Sequence, residues 1–206
     1  MVKFKYLICG LVLIIQAFSF SQNNTDEYIL EMESFQNKQN EKYKNPDQSP
    51  LSKKDLKRFE AHELFDIDAS YRVEARFELI EEPVSFLMKT STSRLPEYNT
   101  YGIVSFSLKG KDFQLKVYKS LSSYDDPKYA YYLFFPFTDL TNGEDTYEVG
   151  RYIDIRIPEG DTIIIDFNKA YNPYCAYSKN YSCPIPPEEN HLDIRVEAGT
   201  KNNPLK

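Results

Sequence analysis

Asp166 and Arg151 are the residues of this chain best suited to acid–base or anion chemistry. Asp166 ends the apolar run Thr162-Ile163-Ile164-Ile165 and shares a strand face with Ile164 and Asn168. A carboxylate in such surroundings must find a donor or take a raised pKa. Arg151, expected on the neighbouring strand of a hairpin, is the natural donor, and its planar fork suits a bidentate pair. In a catalytic role, Asp166 would be a general base and Arg151 would hold developing negative charge, with Tyr147 or His191 as proton donor. In a structural role the same pair would fix the hairpin and catalyse nothing, because ion-pair networks perturb pKa values too.

Cys175 and Cys183 lie in a loop rich in tyrosine, asparagine and proline, Tyr171-Asn172-Pro173-Tyr174-Cys175 through Cys183-Pro184-Ile185-Pro186-Pro187. In an exported protein such a pair is first read as a disulfide. Closing so short a loop would contribute about 2–3 kcal/mol in the chain-entropy picture. Zinc would have only these two sulfurs and His191 nearby, without the usual C-x₂₋₄-C spacing. A Cys–His nucleophile would need a free thiolate, and two unpaired thiols are the remaining alternative. With only His62 and His191, no Gly-x-Ser-x-Gly, no glycine-rich phosphate loop and no His-Glu-x-x-His, the chain has no recognisable triad, and no cofactor or metal is implied.

The elements that must position these groups follow from periodicity. Thr25 is the expected cap of a helix on which Tyr28, Met32, Phe35, Gln39 and Tyr43 share a face, ended by Asn45-Pro46. Ser52 is expected to cap a shorter one. From Tyr71 the period changes to two, and eight strands are expected: 71–79, 84–90, 101–108, 113–118, 129–135 stopped by Pro136, one around Ile153-Asp154-Ile155, 162–167 and 192–196. Short strands joined by tight turns predict a mainly β (α+β) fold, an antiparallel sandwich or barrel after one long and one short helix. The polar loop from Asp139 to Tyr147 and the cysteine loop would meet at one end of the sheet. There Asp139, Glu144, Tyr147, Arg151, Asn168, Tyr171 and Asn172 are the candidate ligand contacts.

The chain opens with Lys3 and Lys5, an apolar stretch from Leu7 to Phe20 and small residues at Ser19 and Ser21. These are the parts of a secretory signal peptide, cleaved after Ser21, and the stretch is short of the about 20 residues that span a membrane. Residues 22–206 would then form a single exported domain, periplasmic or secreted, without a stable membrane anchor. Losing Lys3 and Lys5 takes the net charge from −6 to −8, which disfavours nucleic acid as a partner. Seventeen tyrosines and no tryptophan suit half-buried strands first, and a ligand-binding face second.

Beyond the cysteine loop, Phe134-Phe135-Pro136-Phe137-Thr138-Asp139, Gly143-Glu144-Asp145-Thr146-Tyr147, Gly150-Arg151-Tyr152 and Asp166-Phe167-Asn168 form a long joint pattern. With Tyr171-Asn172-Pro173-Tyr174-Cys175-Ala176-Tyr177 and Cys183-Pro184-Ile185-Pro186-Pro187 it resembles the bacterial family catalogued as domain of unknown function 1684. The first helix and Ser49-Pro50-Leu51 extend the resemblance over nearly all of the chain after residue 21. It departs at Ala198-Gly199-Thr200-Lys201, where the family often has Ala-Gly-Glu-Lys, so a role of that acid does not carry over to Thr200. The resemblance implies no reaction. It also keeps the cysteine pairing open, because family sequences without an export signal would hold the pair reduced. Three functions therefore stand as expectations: an exported, non-catalytic binding module for a small polar ligand, a hydrolase-type enzyme built on Asp166 and Arg151, and a structural domain of the cell envelope.

Overall fold

Residues 25–124, 126–202 and 205 are described by the computed structural model. The expected signal segment 1–21, its expected cleavage point and Cys9 lie outside them. Helix α1 (residues 25–44) turns Tyr28, Met32, Phe35, Gln39 and Tyr43 inward, the face that the 3.6-residue period predicts. Thr25 is already helical, so it is not the cap. Helix α2 (Lys53–Leu56) starts as expected, with the Ser52 hydroxyl accepting the Asp55 N–H.

Eight strands follow: β1 (Arg72–Leu79), β2 (Ser85–Leu87), β3 (Glu97–Leu108), β4 (Lys111–Ser120), β5 (Tyr132–Asp139), β6 (Arg151–Arg156), β7 (Thr162–Asp166) and β8 (His191–Leu192). They make one sheet in the order β6-β5-β4-β3-β1-β7, with β2 beside β3 and β8 beside β5. Neighbours are antiparallel, apart from the two-residue β8 against β5. The predicted mainly β fold is thus the observed one, as a single sheet curled into a half-barrel. Hairpin β3–β4 closes through Lys109 and Gly110, both at positive φ (50° and 78°), the two-residue turn whose twist matches the strands.

The concave face carries the main core, in which Phe167 meets Phe106, Phe135 and Phe137 at ring-centroid distances of 5.9, 6.3 and 5.3 Å. A second cluster of Met88, Tyr118, Phe134 and Tyr152 lies on the convex face of the same strands. β5 is therefore buried on both sides.

Two strand boundaries correct the sequence reading. β5 runs through Pro136 to Asp139 instead of stopping there. The missing Pro136 N–H costs no ladder bond. Amide and carbonyl of one strand residue point the same way, and the Pro136 carbonyl meets the Asn190 side chain rather than a strand. The last strand is confined to His191–Leu192, and the chain from Val196 to Thr200 is held by a side chain described next.

Candidate functional site

Arg151, the first residue of β6, is fully buried and reaches toward the end of β5. Its Nη2 donates to Asp139 Oδ2 at 2.8 Å and to the Val196 carbonyl at 2.7 Å, while Nη1 donates to the Ala198 carbonyl at 2.5 Å. Asp139 is completed by the Thr141 N–H and hydroxyl and the Val196 N–H. Burial pulls the arginine pKa below its ordinary value, and the Asp139 carboxylate opposes that. The cluster replaces the ladder bonds of the missing strand. It is a fastening for the C-terminal segment, closed to solvent.

Asp166 has a different partner from the one predicted. β6 pairs with β5 and β7 with β1, so the Pro158–Asp161 turn joins the two edges of the curled sheet and makes no hairpin. No hydrogen bond or ion pair links Arg151 to Asp166 among the described residues; Asp166 accepts from the Tyr28 hydroxyl at 3.0 and 3.1 Å and from the Asn168 N–H at 3.1 Å. Asn168 Nδ2 also donates to Tyr28 at 2.9 Å and to the Asp68 carbonyl at 2.9 Å. Burial, then the Asp166 charge, pushes the Tyr28 hydroxyl well up, so it remains a donor. This knot fastens α1 to the sheet.

A cavity of about 400 Å³ opens between α1, the convex face of β5–β6 and the cysteine loop. Phe35, Gln39, Lys42 and Tyr43 come from α1; Tyr132, Phe134, Tyr152 and Asp154 come from β5 and β6. Asn168, Tyr171, Tyr174, Tyr177 and residues 181–184 supply further wall, together with His62 and Tyr98. Nine of the 17 tyrosines border it. The strand alternation explains the composition. Tyr152 and Asp154 share the face opposite the core residues Ile153 and Ile155; α1 and the loop bury Tyr152, while Asp154 stays exposed to water at the cavity mouth.

The wall is braced. Residue 171 pairs with the free edge of β6 through Tyr152 N to Tyr171 O and Tyr171 N to Tyr152 O, both 2.9 Å. The Tyr152 hydroxyl donates to the Pro184 carbonyl. Cys175 and Cys183 form a disulfide with Cα atoms 6.1 Å apart, which closes the loop as first read. The Ser91 N–H donates to the Cys183 carbonyl at 2.9 Å, and Arg94 Nη2 donates to the Ser182 carbonyl at 2.7 Å, tying the loop to the segment between β2 and β3.

Asp154 is the carboxylate of this wall. Its Oδ1 receives the Tyr132 hydroxyl at 2.9 Å and the Tyr171 hydroxyl at 2.5 Å. Burial, with Asp154 beside them, pushes both phenols well up, and both stay protonated. Lys169 on the rim is paired with Glu31 at 3.0 Å, and Lys42 Nζ stands 5.5 Å from the Tyr174 ring centroid.

His62 sits edge-on among Tyr43, Phe59 and Tyr177, with Nδ1 3.1 Å from the Tyr177 hydroxyl. Burial lowers its pKa from 6.5 to about 4. Between those values the unfolded chain takes a proton that the folded chain refuses, so stability falls as pH drops from 6.5 toward 4. From pH 7 to pH 4.5 this one residue is expected to remove about 2–3 kcal/mol. Urea unfolding of wild type and His62→Gln at both pH values isolates that share; equal losses in the two proteins would assign the acid sensitivity to other groups.

Of the residues singled out from the sequence, Tyr171 and Asn168 border the cavity, as does Cys183. Arg151 and Asp139 form the buried fastening, and Asn172, also buried, donates to the Lys201 carbonyl at 2.7 Å. Glu144 is a surface partner of Arg195 at 2.8 Å. Tyr147 packs with the Tyr43–Phe59–Tyr177 cluster. His191 is exposed, with Nδ1 3.0 Å from Thr138 Oγ1. The Asp139–Tyr147 loop does not line the cavity; α1 takes its place as the facing wall. Asp154, Tyr132, Tyr152 and His62 were missed. Asp154 alternates with Ile153 and Ile155 and is exposed, so its strand pattern alone did not mark it as part of a cavity wall.

Comparison with known proteins places this geometry in context. The family model described as protein of unknown function (DUF1684) matches residues 57–201. The solution NMR structure of an uncharacterized protein of Haloarcula marismortui is similar, with a TM-score of 0.67 and 31% identity over 87% of this chain and 97% of that one. A comparison with curated proteins finds no match.

Proposed function

We infer that this chain, which belongs to the DUF1684 family of proteins of unknown function, is an exported, non-catalytic binding module for a small polar ligand. The ligand site is the tyrosine-walled cavity between α1, β5–β6 and the cysteine loop. The observation that carries this reading is its size and lining. About 400 Å³ of aromatic wall with a few placed polar groups is the usual make-up of a small-molecule site. A binding reading is favoured over a hydrolytic one because Asp166 and Arg151, the acid–base pair that hydrolysis would need, are each engaged in separate fastenings. Export is supported by the leader-like sequence of residues 1–21 and by the disulfide of the cavity wall.

Thermal unfolding of the purified protein against a panel of polar metabolites tests it. A ligand at a hundredfold excess over its Kd is expected to raise the Tm by about 5–10 °C, by mass action on the native state. Gln39→Trp, which fills the cavity from α1, is expected to abolish the shift while leaving the unliganded Tm close to wild type. Stabilisation that persists in Gln39→Trp, or none across the panel, would refute this site.

A further inference from the structure

We propose that the cavity recognises a ligand through an ammonium group seated against Asp154. This rests on the binding reading above and names its ligand class. The argument is one of donor and acceptor bookkeeping. A phenol carries a single proton, and Tyr132 and Tyr171 both direct theirs at Asp154 Oδ1, at 2.9 and 2.5 Å. What these two hydroxyls still offer is lone pairs. Asp154 Oδ2 takes no hydrogen bond, and the carboxylate forms no ion pair, among the described residues. This corner of the wall therefore presents acceptors only, together with a negative charge.

An ammonium is the group that complements it, because it has three donors and no acceptor. A hydroxyl would satisfy one acceptor with its single proton and bring no charge to meet the carboxylate. A carboxylate or phosphate would meet charge of its own sign. The rings nearby act in the same direction, since Phe134, Tyr152 and Tyr171 form a chain of edge-to-face contacts at 4.7 and 5.8 Å along this wall, and π faces attract cations. The protein's own ammonium groups on the cavity rim are engaged elsewhere: Lys169 with Glu31 and Lys42 over the Tyr174 ring.

Titration calorimetry of the purified protein with 2-phenylethylamine, 2-phenylethanol, 3-phenylpropionate and methyl glucoside tests the assignment. The amine and the alcohol have nearly the same shape and differ in charge. The amine is expected to bind about tenfold more tightly than the alcohol, the margin that a charge-assisted bond to the solvent-exposed Asp154 and a cation–π contact together supply. Asp154→Asn keeps an oxygen for the two phenols and removes the charge, so it should bring the amine down to the alcohol's affinity. An alcohol, acid or sugar that binds as tightly as the amine, and is blocked by Gln39→Trp, overturns the ammonium assignment and leaves the binding site standing. An amine preference that survives Asp154→Asn removes Asp154 from the role. If none of the four probes binds, the assignment falls.

Discussion

Arg151→Ala is expected to destabilise the protein by about 3–5 kcal/mol, the loss typical when one partner of a buried ion pair is removed. The size comes from what is left behind. Asp139 is buried, and without the guanidinium its Oδ2 has lost its charge-assisted donor at 2.8 Å. The Val196 and Ala198 carbonyls lose their donors at 2.7 and 2.5 Å in the same step. Those carbonyls belong to the segment whose strand ends at Leu192, so little else in the backbone can replace the bonds. Arg151→Lys should recover only part of the loss, because a single ammonium cannot span the fork that reaches Asp139 and two carbonyls. The double variant Asp139→Leu with Arg151→Met should be more stable than Arg151→Ala alone, since it removes the orphaned charge. Urea unfolding midpoints at constant slope measure all three. A loss below about 1 kcal/mol in Arg151→Ala, the range of exposed pairs, would show that water reaches the cluster and that it does not fasten the C-terminal segment.

Asn190→Ala should cost about 2–4 kcal/mol, because each buried backbone group left without a partner costs about 1–3 kcal/mol. β4 and β5 share a single register pair, Tyr118 with Phe134, and then diverge. Into that split the Asn190 amide inserts as a piece of surrogate backbone. Its Oδ1 accepts the Lys116 N–H at 3.0 Å, and its Nδ2 donates to the Lys116 and Pro136 carbonyls at 2.8 and 2.7 Å. Asn190→Asp tests the donor half by itself, since a carboxylate can still accept from Lys116 but would face two carbonyls. It should be at least as damaging as alanine. An aspartate variant as stable as wild type would show that the carbonyls find water instead. Because β5 carries Tyr132 and Phe134 into the cavity, either Asn190 variant should also loosen ligand binding there.

Much of this architecture was readable from local pattern. The face of α1, the alternation of β1 and the turn at Lys109-Gly110 all depend on residues near one another in sequence. They depend also on rules of period and turn geometry that need no knowledge of the rest of the chain. Pro136 misled the same reading, since whether a proline ends a strand is decided by what lies beside its missing N–H, here a side chain 54 residues away.

The site itself was decided by topology. Asp166 was rightly expected to need a donor; the donor is Tyr28, 138 residues distant, because β7 is an edge of the curled sheet where α1 docks and is not the hairpin partner of β6. Arg151 was rightly expected to be paired, and it took Asp139 because β6 lies along β5. Alternation told which residues of β6 share a face with Asp154, but a strand has two faces and its sequence does not state what covers either. The chain alone marked most of the elements and the need of each buried charge for a partner. Only the folded molecule chose the partners and placed a carboxylate and two phenols at one cavity wall, because those choices follow from contacts between segments that no local period connects.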